Sequence, residues 1–187
     1  MKGVETLTKL QIDKLSKSSK NDVPLFSLEG RKVWVKVVGV YDADTCRVVL
    51  FLEGKLSQFS VRLSGIDTPE MRPARSKPNR DLEKKHAIKA RNRLIQLVSD
   101  VKIGLDDTWR RDRIQRMLAE NNRLVVLECG EFDKYGRLLG QFVIDSQTGG
   151  GSKGEKDKDG TCRVNNILIE EGYAHEYDGG TKTPWVF

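Results

Sequence analysis

The sequence lacks any apolar run of membrane-spanning length: of its 187 residues 37% are hydrophobic and 32% are Asp, Glu, Lys or Arg, whereas a membrane helix needs roughly 20 consecutive apolar residues. Histidine is scarce, with only His86 and His175. The cysteines, Cys46, Cys129 and Cys162, are odd in number, widely spaced and without a metal-type pair. That argues against a zinc cage and leaves them as reduced thiols. The first 21 residues hold Glu5 and Asp13 and no apolar core, so neither a secretory signal nor an organellar presequence is expected. The chain is therefore assigned to the cell interior, cytoplasm or nucleus, with no membrane partner.

What the chain does have is positive charge. Thirty-three Lys and Arg against 27 Asp and Glu give a net charge of +6 and a pI near 9.2, which favours a polyanionic partner. Its length suits one well-buried domain with extensions.

Residues 1–27 read as an extension: Leu7, Leu10, Ile12 and Leu15 have rough helical spacing, and a Ser/Lys/Asn linker follows. From Lys32 the period changes to two, with Val33, Val35 and Val37 on one face and Trp34 and Lys36 on the other. Cys46 to Leu52 and Ser57 to Leu63 form a hairpin about Glu53-Gly54-Lys55. Val61 and Leu63 point inward, so Arg62 points away from the core. The hairpin return brings the neighbourhood of Asp44 beside that of Asp67. Pro69 then breaks the chain and leaves Thr68 extended, its carbonyl uncommitted to a helix.

Further on, Ala87, Ala90, Leu94 and Val98 mark a helix over 81–98, in which His86 reads as a solvated residue. A second helix is expected over 106–121, with acidic residues first and a stripe of Trp109, Ile114, Met117 and Leu118. The last two strands are expected at 124–127 and 138–144. The Gly/Lys/Asp-rich stretch 146–160 reads as a flexible insertion, and 164–171 as a short helix stopped by Gly172. Tyr173 and Tyr177 either stack on a base or pack beneath that helix.

Three ordered motifs, Asp42-Ala43-Asp44-Thr45, Val61-Arg62-Leu63 with Asp67-Thr68-Pro69-Glu70, and Asp133-Lys134-Tyr135-Gly136-Arg137, resemble the staphylococcal nuclease (thermonuclease) family. The resemblance implies an α+β, mainly β fold: a five-stranded OB-type β-barrel with about three packed helices plus one inserted helix. The domain would span 28–178, with insertions at about 104–122 and 146–160 and a tail at 179–187. It also implies a calcium-dependent endonuclease that hydrolyses DNA and RNA to 3′-phosphate ends, acting as a monomer.

In that reading Asp44, Asp67 and the Thr68 carbonyl form an all-oxygen set suited to Ca2+, with Asp42 contributing from behind. Arg62 and Arg137 grip phosphate oxygens, and Glu70 is the acid-base candidate. Lys134 and Tyr135 match positions that contact a nucleotide phosphate. Ala43 stands where the family usually has glycine. The competing reading is a catalytically silent module of the same fold that binds nucleic acid or protein; retention of Asp44, Asp67, Arg62, Glu70 and Arg137 separates the two.

Overall fold

The computed structural model describes residues 6–145 and 160–186. Its centre is a closed barrel of five strands: β1 (Lys32–Val40), β2 (Thr45–Leu52), β3 (Lys55–Leu63), β5 (Val125–Phe132) and β6 (Leu138–Asp145), while β4 (Ile66–Asp67) lies outside it. Neighbours pair antiparallel in the order β3-β2-β1-β5-β6. The barrel closes where β3 and β6 run parallel, Val61 opposite Leu138, Arg62 opposite Leu139 and Leu63 opposite Gly140. Every barrel strand thus pairs with two others of the barrel, the closure resting on three residues of β3, as expected of a partly open OB-type barrel. Closure is tight at Gly140, where a Cβ would meet the Glu128 carbonyl oxygen at 2.7 Å and Leu127 Cδ1 at 2.9 Å.

The period-two pattern is borne out: Val35 and Val37 are buried while Trp34 is exposed. Two boundaries differ from expectation. The hairpin turn contains only Glu53 (φ 50) and Gly54 (φ 78), so Leu52 already pairs with Lys55; two successive left-handed residues match the strand twist. β5 runs to Phe132 rather than stopping at Leu127. The reason is backbone pairing before β1: Cys129 N donates to Arg31 O (2.8 Å), and Gly30 N donates to Cys129 O (2.8 Å).

Four helices accompany the strands: α1 (Lys9–Lys17), α2 (Arg80–Val98), α3 (Arg111–Glu120) and α4 (Val164–Glu170). Leu94, Ile95, Leu97 and Val98 of α2, Ile114 and Leu118 of α3, and Val164, Ile167 and Leu168 of α4 join the barrel's valines and leucines in one core. The α1 helix starts on a reciprocal cap between Thr8 and Gln11 and buries none of its residues.

The α3 helix begins five residues later than its acidic start suggested. Residues 104–107 form a turn instead, in which Gly104 N donates to Asp107 Oδ2 (2.8 Å) and Asp107 N to Gly104 O (3.1 Å). Buried Asn92 of α2 holds that turn by donating to the carbonyls of Gly104, Leu105 and Asp107. Carbonyls so engaged face an α2 side chain, and Asp107 serves a local turn rather than a helix start.

The expected insertion over 146–160 lies outside the described residues apart from Gly160, whose φ of 78 leads into β7 (Thr161–Arg163), a further strand on β6. After α4, Gly172 (φ 75) ends the helix and β8 (His175–Glu176) pairs antiparallel with β4. His86 is not solvated: it is half-buried against Tyr173 and Trp185, with Nε2 2.9 Å from the Gly172 carbonyl. Among the described residues no helix is long and apolar enough to cross a membrane.

Candidate active site

Residue Arg62 sits in β3 directly opposite Thr45 of β2, and the pairing continues past the strand end through Leu63 N donating to Asp44 O at 2.8 Å. That register is what brings the first acidic motif to the arginine. Val61 and Leu63 are fully buried, so alternation sends the Arg62 side chain out of the core as the sequence requires. Its Nη1 lies 2.6 Å from Asp44 Oδ2, its Nη2 4.0 Å from Asp67 Oδ1, and Nη2 also donates to Ile66 O.

Asp44 and Asp67 are both buried and stand on either side of this one guanidinium. Thr45 Oγ1 donates to Asp44 Oδ1 at 2.8 Å. Burial, then the adjacent Asp44 carboxylate, pushes the Asp42 carboxyl well above the ordinary carboxylate range. Ala43, in place of the usual glycine, is buried without a positive φ, and the loop accommodates its methyl group without backbone strain.

The turn after β4 carries the rest. Thr68, buried, and Glu70, exposed, line a cleft of about 650 Å³ together with Asp42, Asp44 and Arg62. Lys134, Tyr135 and Arg137, from the β5–β6 turn, line the same cleft. Asp67 reaches this group through Arg62. The structure thus brings together all nine residues singled out in the sequence. It does so through the parallel β3–β6 pairing, which sets Arg137, just before β6, beside the strand that bears Arg62.

Three further residues shape the site. Asp133 Oδ1 accepts from the amides of Tyr135 and Arg137, both at 2.9 Å, and Oδ2 accepts from Arg137 Nε at 2.7 Å. Burial raises the Asp133 carboxyl, but these donors outweigh it and hold the group below its ordinary range. The Asp133 signal lay inside the quoted motif, since an Asp at the head of a turn commonly accepts from amides further along.

Glu83, buried in the first turn of α2, accepts from Glu70 N (3.3 Å) and pairs with Lys77 Nζ (2.7 Å). Lys182, from the chain beyond β8, places its Nζ 2.7 Å from Asp67 Oδ1 and 3.2 Å from Glu70 Oε1. Nothing in the Gly/Thr/Pro sequence around Lys182 marks it.

The donor set can be tested against a metal ion. Asp44, Asp67 and Thr68 offer only oxygen ligands, two of them anionic and buried, which suits a hard cation and not a soft one. Among the described residues no three Asp, Glu, His or Cys side chains converge as a metal cage. With two protein carboxylates and one carbonyl, an ion held here would need water in its remaining coordination positions.

No curated protein matches the chain. The sequence profile described as Staphylococcal nuclease homologue matches residues 60–183, more than half of it. The matched range runs from within β3 to just past Lys182, so Asp42 and Asp44 precede it while Arg62, Asp67, Thr68, Glu70 and Arg137 fall inside. With the five-stranded barrel bearing this cleft on its outer face, the chain belongs to the staphylococcal nuclease homologue family.

Proposed function

We propose that this protein is a calcium-dependent endonuclease that hydrolyses phosphodiesters of DNA and RNA and leaves 3′-phosphate ends. The observation that carries the reading is the gathering of two buried carboxylates, two arginines and an exposed carboxylate in one cleft on a chain of positive net charge.

Asp44, Asp67 and the Thr68 carbonyl would hold the calcium ion, and Asp42 would support Asp44, to whose amide its carboxyl oxygen is bound. Bound there, calcium supplies Lewis acidity toward a phosphoryl oxygen. Arg62 and Arg137 present planar donor forks to the remaining phosphate oxygens, where negative charge grows as water adds. Glu70 orients the water and takes its proton. The water oxygen bonds to phosphorus, the bond to the 5′-oxygen breaks with its electron pair going to that oxygen, which takes a proton from solvent, and a 5′-hydroxyl and a 3′-phosphate result. Lys134 and Tyr135 flank the cleft mouth, one as a cation for a neighbouring phosphate and the other as an exposed ring.

The test is degradation of single-stranded DNA and of RNA by the purified protein with calcium, with magnesium and with a chelator, alongside Glu70→Ala. Calcium-dependent cleavage that the substitution abolishes is the expected result. Binding of the strands without cleavage under any metal overturns the enzyme reading in favour of a silent binding module.

A further inference from the structure

The carboxylates at the head of the cleft are shared between two cations of the chain itself. Arg62 neutralises Asp44 from the barrel side. Lys182 reaches in from the other side, Nζ 2.7 Å from Asp67 Oδ1 and 3.2 Å from Glu70 Oε1.

Lys182 is held there from both directions along the chain. Before it, β8 pairs with β4, and Tyr177 N donates to Gly65 O at 3.0 Å. After it, Trp185 stacks on His175 with ring centroids 3.8 Å apart. The segment is therefore anchored, while half of the Lys182 side chain still reaches solvent.

We propose that Lys182 is a tethered cation that occupies the carboxylate site in the metal-free protein and competes with the metal ion for it, so that it sets the metal affinity. This inference rests on the calcium reading above. A calcium ion bound through Asp67 needs an oxygen at roughly 2.3–2.6 Å, and the Lys182 ammonium already stands 2.7 Å from Asp67 Oδ1 as its ion-pair partner. A dication and an ammonium at one carboxylate repel, so one must yield. The lysine can yield cheaply: its four-carbon stem swings the ammonium into solvent without moving β8 or the Trp185 stack. Without metal, the ammonium keeps Asp67 and Glu70 from facing each other uncompensated. Metal binding thus carries the cost of displacing it, and affinity is lower than the carboxylates alone would give.

The experiment is calorimetric titration of calcium into the metal-free full chain, comparing wild type, Lys182→Met and Lys182→Arg, with thermal melting of each before and after calcium. The expected result is a calcium Kd tighter by about tenfold in Lys182→Met, a shift in the usual range for coupled sites. Lys182→Arg keeps the charge and should stay near wild type. Lys182→Met should also melt lower without metal and gain more from calcium than wild type does. Calcium affinity in Lys182→Met equal to or weaker than in a calcium-binding wild type overturns the competition. If wild type and all variants bind no calcium, the calcium reading falls first and this one with it.

Discussion

Arg62 and Asp44 lie on adjacent strands with 2.6 Å between Nη1 and Oδ2, and the same guanidinium extends Nη2 toward Asp67 and the Ile66 carbonyl. Both ends of the fork are thereby fixed before substrate arrives, which favours action on charge that develops during the reaction. Lysine could keep the charge but not the two-ended grip. Arg62→Lys should lower the single-turnover rate on single-stranded DNA by the equivalent of about 2–4 kcal/mol while leaving strand affinity nearly unchanged. Equal rates in mutant and wild type would remove Arg62 from the catalytic set.

In the proposed reaction Asp133 would act through Arg137. Its two oxygens accept from the Arg137 amide and Nε, and the Arg137 Nη2 lies 2.7 Å from Oδ2. Asp133→Asn keeps an acceptor for the turn amides but loses the charged pairing. Turnover should fall by about tenfold with calcium affinity unchanged. The variant should also differ in acid. Because the folded pKa lies below the ordinary value of 3.8, the ionised carboxylate contributes stability above that value, and the contribution is lost as pH falls through the folded pKa. Acid melting curves of the variant should lack this component; identical pH dependence in both proteins would show that the pairing adds nothing.

Much of this site was legible because short-range alternation fixes direction. Val61 and Leu63 inward place Arg62 outward, and a hairpin return places Asp44 near Asp67; both relations span few residues. The parallel closure of β3 on β6 joins Val61 to Leu138, a separation over which no periodic signal survives. Lys182 was missed for a related reason, since its position depends on the two-residue strands β4 and β8, too short to show alternation. The late start of α3, beyond 106–110, was hidden in Asn92, a side chain that looks like any polar position on a helix until its buried amide is seen holding three carbonyls.

Glu83 supports Glu70 from below. Its Oε1 accepts the Glu70 amide and its Oε2 meets Lys77, so the backbone that carries the acid-base candidate is tied to the start of α2. Glu83→Ala leaves that amide and the lysine without this partner and should cost about 1–3 kcal/mol of stability. Turnover should drop with little change in KM, and Glu83→Gln, which keeps the acceptor for the amide, should recover most of the rate. If glutamine fails to rescue while restoring stability, the contribution of Glu83 is charge and not placement of the Glu70 backbone.

Asn92 should be the most sensitive polar position outside the cleft. Its Nδ2 lies 2.8 Å from Gly104 O, 3.0 Å from Leu105 O and 2.9 Å from Asp107 O, while Oδ1 accepts from Arg91 Nε and Nη2. Fully buried, it ties α2 to the turn that delivers α3 to the barrel, alongside Lys89, Arg91 and Gln96 of the same helix. Asn92→Ala removes the donor and leaves those carbonyls short of a partner, each a desolvation cost with no return. Urea denaturation should show a loss of about 2–4 kcal/mol, and amide exchange should accelerate at 104–109 before it does in the barrel strands. A loss below about 0.5 kcal/mol, the scale of an ordinary surface substitution, would mean that water replaces the asparagine at this turn without penalty.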